Sequence, residues 1–225
     1  MELLLVRHAQ PEWVRDGLNV VDPPLTELGR RQAEALAVAM TGIELDEVLV
    51  SPLLRARQTA RPVLDALGRI EDVDMWLEEV RDPKWHGTPA ERATEAYKEL
   101  RGRSATERWN GLQGGENIRE FVDRIRLGAE KFLQERGVQQ VETELPVWQI
   151  AEPGRRIALI AHAGTNAVVI CHLLGLAPTP WEWERMVLRH ASISRIEAIP
   201  LGDGYTFSLT ALSDVEHLAP ADRTR

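Results

Sequence analysis

Leu3-Leu4-Leu5-Val6 opens the chain and leads directly into Arg7-His8. The four apolar residues run without alternation, which is the pattern of a strand covered on both faces. Ile157-Ala158-Leu159-Ile160-Ala161 repeats it and leads into His162, and a shorter run, Val48-Leu49-Val50, precedes Ser51. Helix-like sequence follows each run, a rhythm that predicts an α/β protein with a largely parallel sheet.

The helices are marked by their ends. Thr26 is placed to cap a helix with Glu27 in its first turn, running to a stop at Gly42. Ser51-Pro52 reads as an N-cap followed by proline at the first helical position, which puts Arg55 in the first turn. From Glu116 onward, Ile118, Val122, Ile125, Ala129 and Phe132 recur at helical spacing to about Glu135. Thr165 to Leu174 reads as a mostly buried helix. Residues 80–115 break the rhythm and are expected to form a cap insertion over the sheet. Residues 138–154 read as a long surface connection. Ile193–Ile199 and Tyr205–Leu212 flank Gly202-Asp203-Gly204 as a closing hairpin.

With 225 residues and 44% apolar content, the chain is long enough to bury a real core, which excludes a disordered tail or a disulfide-stapled miniprotein. Thirty-five acidic residues against 27 basic ones give a net charge of −8, without the basic footprint of a nucleic-acid binder. Lys84, Lys98 and Lys131 are the only lysines, so the cations are almost all arginines, whose planar forks match phosphate oxygens. Cys171 is alone, which excludes an internal disulfide and a cysteine-rich zinc site. The Leu3–Val6 run is too short for a signal-peptide core or a membrane span, so a cytoplasmic protein with no membrane partner is expected. The sequence carries no signal for an oligomeric state.

In an open α/β sheet, ligands bind beyond the carboxyl ends of the strands. His8 and His162 both stand at such ends. Arg55, at a helix start after a third strand, adds a cation beside free backbone N–H groups. Singly, each residue has an ordinary reading: loop sequence for Arg7-His8, a core histidine for His162, a solvated helix charge for Arg55. Together they surround one crevice suited to an anion.

Read in order, LVRHAQPEW, DPPLTELGRRQAEALA, SPLLRARQTA, WLEEVRDPKWHG, GGEN and LIAHAGTNAVV resemble the successive motifs of the histidine phosphatase superfamily, its phosphoglycerate-mutase-like branch. The resemblance spans residue 2 to about residue 199. It implies a three-layer α/β/α sandwich with a mainly parallel central sheet and a small cap, as one domain over residues 1–225. It also implies that His8 is the nucleophile that becomes phosphohistidine, and that Arg7, Arg55 and His162 clamp the phosphate with Gln10 and Ala163 beside them. Glu79, six residues before Trp85, corresponds to the proton donor. The implied partner is a small-molecule phosphate ester, with no cofactor and no metal.

The positive field is expected to lower the pKa of His8, and His162, if protonated, to add another cation. Beside the arginines Glu79 is expected to ionise readily until bound phosphate raises its pKa. The pattern departs from the family at Ala9, which replaces the glycine of Arg-His-Gly, and at Pro11 and Val14, where the mutase pattern has a hydroxyl and an amide. Pro83 and His86 replace a glycine and a glutamate near the acid. These departures favour a phosphatase over a cofactor-dependent phosphoglycerate mutase. A phosphate-binding module without chemistry is a third reading, and the presence of all five catalytic candidates argues against it. Trp13, Trp85, Trp109 and His86 are candidates for contacts to the leaving group, with core packing as the alternative for each tryptophan.

Overall fold

Successive side chains of a strand point to opposite faces. In β1 (Glu2–Arg7), Leu3 and Leu5 enter one core while Leu4 and Val6 enter another, which is why the apolar run has no gaps. β8 (Arg156–Ala161) does the same, with Ile157, Leu159 and Ala161 on the first side and Ala158 and Ile160 on the second. Each such side chain, fully buried, contributes about 1.5–3 kcal/mol if it is as large as valine or leucine. The structure is a computed structural model and describes residues 1–142 and 145–225.

Between these strands lie β2 (Val14–Arg15), β3 (Leu18–Asn19), α1 (Glu27–Met40), β4 (Glu47–Val50), α2 (Leu54–Leu67), β5 (Asp72–Val73), α3 (Ala90–Gly102), α4 (Ile118–Gln134), β6 (Val138–Gln140) and β7 (Trp148–Ile150). After β8 come α5 (Ala163–Leu173), α6 (Glu182–Arg185), β9 (Ile193–Leu201) and β10 (Gly204–Asp214). The main sheet has the order β5-β4-β8-β1-β9-β10-β7-β6. β5, β4, β8 and β1 are parallel, and from β1 outward every neighbour is antiparallel. α1 and α2 pack on the face of Leu4 and Val6, and α4 and α5 on the face of Leu3 and Leu5, giving an α/β/α sandwich. Among the described residues, no helix is long and apolar enough to cross a membrane.

Three local expectations change. Residues 138–154 are not a plain connection, because they contain β6 and β7, paired antiparallel. Trp148 supplies the reason, since its ring packs 5.5 Å from that of Phe207 and draws the segment onto the edge of the sheet. Ser51 does not cap α2. The helix starts at Leu54 after Leu53, with no side-chain cap, and Pro52 lies outside it. α5 begins at Ala163, two residues earlier than its apolar pattern suggests.

Residues 80–115 contain α3 and a small apolar cluster of their own, built on Trp85, Leu100 and Leu112. Asn19 in β3 reaches this segment through its side-chain amide, which donates to the Pro89 carbonyl at 2.7 Å.

At the other side of the sheet end, Thr26 caps α1 by accepting from the Gly29 N–H at 2.9 Å. A Cβ on Gly29 would run into the Gln10 carbonyl, so α1 touches the loop after β1 backbone to backbone. Gly29→Ala is therefore expected to destabilise the fold by about 1–3 kcal/mol in urea unfolding. Gly42→Ala, which meets open space, should stay within about 0.5 kcal/mol of wild type.

Candidate active site

The parallel half of the sheet fixes where His8 sits. Its N–H donates to the Ala161 carbonyl at the end of β8 (2.9 Å), and its own carbonyl accepts from Ala191 N–H just before β9 (3.2 Å). The imidazole is thus held between two strand ends, its centroid 5.1 Å from that of His162 and 5.8 Å from that of His190. His8 Nδ1 lies 2.8 Å from the Ala9 carbonyl. A carbonyl can only accept, so Nδ1 carries the proton and Nε2 keeps its lone pair. Burial lowers the His8 pKa well below its ordinary value, and the charges of Arg55 and Arg7 lower it further. The ring is neutral and its Nε2 is free.

Two cations flank it, Arg55 buried and Arg7 half-buried. Arg7 donates to the Leu188 carbonyl (2.5 Å) and lies 3.1 Å from His190 Nε2, and desolvation brings its pKa down only to about 10. Arg55 lies over the Trp13 ring at 4.8 Å and 3.8 Å from the Asp22 carboxylate. Among the described residues, the buried Nε of each guanidinium has no hydrogen-bond partner. His162 Nδ1 is a third buried nitrogen in the same condition. Unpaired buried donors are costly, and three of them around one imidazole define a site for an anion.

His162 is fixed from β4. Ser51 N–H donates to the Ile160 carbonyl at 2.9 Å, and Ser51 Oγ lies 2.6 Å from His162 Nε2. Leu53 N–H donates to the same oxygen at 3.4 Å, and among the described residues the hydroxyl proton has no acceptor besides Nε2, which places the ring proton on Nδ1. Burial, with Arg55 and Arg7, holds the His162 pKa well below its ordinary value. His162 therefore offers an N–H rather than a positive charge.

Glu79 faces the group from the other side. Its carboxylate accepts from Gly164 N–H in the first turn of α5 (2.8 Å) and from Val80 N–H (2.9 Å). A Cβ on Gly164 would run into that carboxylate, so the close approach requires glycine. Arg124 donates to the backbone carbonyls of Glu78 and Glu79 at 3.0 and 3.2 Å, and Glu116 of the GGEN stretch holds Arg124 in a 2.9 Å ion pair. Glu79 keeps part of its surface open to solvent, yet the surrounding protein raises its pKa by desolvation. The two backbone donors and the two arginines only reduce that rise. The direction differs from the expectation, because burial outweighs the arginines before any phosphate arrives. Among the described residues, no group of three His, Cys, Asp or Glu side chains is placed to hold a metal.

A cavity of about 450 Å³ opens beside Arg55 and Glu79, walled by Trp13, Val21, Trp85 and Tyr97. Trp109 is not among its walls and instead stacks under Arg119 at 4.2 Å. His86 is exposed, with Nδ1 3.4 Å from the Val21 N–H.

A family model described as histidine phosphatase superfamily (branch 1) matches residues 3–203. The chain belongs to the histidine phosphatase superfamily.

Among relatives, the probable phosphoglycerate mutase GpmB of Salmonella choleraesuis is 28% identical over 235 aligned positions, covering 98% of this chain and 97% of that protein. Phosphoserine phosphatase 1 of Hydrogenobacter thermophilus is 28% identical over 179 positions, 78% of this chain and 77% of its own. In structure, the mycobacterial glucosyl-3-phosphoglycerate phosphatase shares the fold at a TM-score of 0.70 and 24% identity, with 95% of this chain and 99% of that one covered.

Within this histidine phosphatase fold, Arg7, His8, Arg55, Glu79 and His162 come together as expected. Ala163 stands next to His162 at the start of α5. Gln10 stands on the loop after β1, two residues beyond His8. Its side-chain oxygen accepts from the Thr26 hydroxyl at 2.9 Å, tying the loop to α1. His190 is a site neighbour that the sequence reading missed. Its Nε2 contacts Arg7 while Nδ1 lies 2.9 Å from Thr224 Oγ1, and burial lowers its pKa to about 3. The available signal was its position just before β9, the strand beside β1.

Ser51→Ala removes the partner that sets the His162 tautomer, and phosphate affinity, measured by calorimetry, should fall about tenfold with the fold intact. Gly164→Ala should displace Glu79 and reduce turnover of a phosphate ester with little change in phosphate affinity.

Proposed function

We propose that the chain is a metal-independent phosphatase that hydrolyses a phosphate monoester through a phosphohistidine intermediate on His8. The observation that carries this reading is the neutral, buried His8, its proton held on Nδ1, ringed by three buried nitrogens without partners among the described residues. A phosphoryl group in transit spreads charge over its equatorial oxygens, and catalysis then rests on positioning and on fixed donors. Arg7, Arg55 and the Nδ1–H of His162 supply those donors.

The first step is attack by the Nε2 lone pair on phosphorus. The P–O bond to the alcohol breaks as the N–P bond forms, and protonated Glu79 gives its proton to the departing oxygen. His8 keeps its Nδ1 proton on the Ala9 carbonyl throughout. In the second step, Glu79, now a carboxylate, takes a proton from water as the water oxygen attacks phosphorus. The N–P electron pair returns to Nε2, releasing inorganic phosphate and restoring the acid.

The relatives divide between proteins named as mutases and as phosphatases, so the choice comes from the site. Pro11 is buried against Leu25 in an isolated bridge and Val14 is exposed in β2, so neither offers a polar group to phosphate. Around the cavity the cations are Arg55 and Arg81, and Arg81 is already paired with Glu78 at 2.7 Å. That supports hydrolysis of a singly phosphorylated ester over the handling of a bisphosphate.

p-Nitrophenyl phosphate hydrolysis in EDTA tests the reading. Wild type should be active and His8→Ala reduced to background. Inactivity of wild type, together with rapid bisphosphate-dependent conversion of 3-phosphoglycerate to 2-phosphoglycerate, would replace it with the mutase.

The pH dependence has a defined sign. His8 has a lowered pKa and stays neutral as pH falls, whereas Glu79 has a raised pKa and loses its proton as pH rises through it. For an alkyl phosphate, kcat/KM should therefore fall on the alkaline side. Glu79→Gln should remove that limb and lower kcat/KM by about 10²–10⁴-fold, with a smaller loss for p-nitrophenyl phosphate, whose leaving group needs no proton.

A further inference from the structure

The part of the cavity away from the phosphate clamp carries its own chemistry. Asp82 lines it, with Oδ1 accepting from the Tyr97 hydroxyl at 2.6 Å, while among the described residues Oδ2 makes no hydrogen bond. Tyr97 projects from α3, and its ring meets Trp85 edge-on at 6.0 Å. Aromatic and aliphatic walls therefore surround a carboxylate with one unused oxygen.

The charges around it are not balanced in its favour. Arg81 is taken by Glu78, and Arg55 sits beside Asp22 and belongs to the clamp. Once phosphate oxygens engage Arg55, Asp82 faces the leaving group with no free cation next to it. Burial already raises its pKa, so a donor brought by the substrate relieves a group that solvent serves poorly. A second carboxylate on the substrate would instead meet like charge.

Resting on the phosphatase reading above, we infer that the substrate is the phosphate ester of an apolar alcohol whose far end carries a hydrogen-bond donor, an ammonium or hydroxyl, held by Asp82, and no second acidic group. The cavity, at about 450 Å³, is in the range of small-molecule sites and suits a leaving group of one ring or similar bulk. Trp13 and Trp85 wall the body of that group, and Asp82 with Tyr97 reads its end.

Four para-substituted phenyl phosphates, bearing methyl, hydroxymethyl, aminomethyl or carboxylate, provide the test. Hydroxymethyl, ammoniomethyl and carboxylate each make a better leaving group than methyl, so the aminomethyl-to-carboxylate ratio, and its change in Asp82→Asn, carries the test. Wild type should hydrolyse the aminomethyl and hydroxymethyl esters with higher kcat/KM than the methyl ester. It should disfavour the carboxylate ester by about tenfold or more against the aminomethyl one.

Asp82→Asn should bring the aminomethyl-to-carboxylate ratio towards unity. Tyr97→Phe, which keeps the charge and loses the hydroxyl, should retain the rank order and so separates the carboxylate's role from packing of α3. Equal or better turnover of the carboxylate ester by wild type, or an unchanged ratio in Asp82→Asn, would overturn the inference while leaving the phosphohistidine route standing. Failure of wild type to hydrolyse any of the four would remove both.

Discussion

Two guanidinium groups are held beside a neutral imidazole with too few partners of their own, and the rest of the site follows from that constraint. Arg7 and Arg55 remain charged where water is scarce, and among the described residues each keeps an Nε with nothing to bond. Buried charge left this way destabilises a fold unless an anion completes it. The protein holds the arrangement by anchoring each member to rigid structure: Arg7 and His8 to the end of β1, Arg55 to the first turn of α2, and His162 to the end of β8. Burial keeps His8 unprotonated and the same positive charge adds to that effect, so the field that binds phosphate also helps to activate the nucleophile.

The acid is built on the opposite principle. Glu79 belongs to no strand or helix, and its backbone is held by Arg124, itself fixed by Glu116. Its carboxylate rests on the start of α5, where only a glycine allows the contact. Burial raises the Glu79 pKa against the arginines, so the free protein already leans towards a group that can donate a proton. The nucleophile at His8 and the acid at Glu79 are thus pushed apart in pKa by different surroundings, so that one is unprotonated where the other can hold a proton.

How far the site could be read in advance depended on how local each determinant was. His8 and His162 were legible because each directly follows a strand whose gapless apolar run shows that it lies within the sheet. Arg55 was legible from a helix start, although the residue taken for its cap, Ser51, turned out to serve His162 across 111 positions of sequence. Ser-Pro before a helix is common cap chemistry, and nothing local tells a hydroxyl to face a histidine on another strand. His190 was missed for a similar reason, since its nearness to His8 exists only once β9 pairs antiparallel with β1. Trp148 and Phe207 likewise create β6 and β7 from sequence that reads as a loop. Gln10 is tied to Thr26, a neighbour in space rather than in sequence.

The central claim is that the phosphoryl group is passed to His8 before it reaches water. It is tested most directly by rapid quenching of the protein during turnover of a radiolabelled phosphate monoester, followed by peptide mapping of the labelled chain. The account predicts stoichiometric label on His8, bonded through Nε2, stable in alkali and labile in acid. Turnover with no label on the protein, or with label on any other residue, would contradict it.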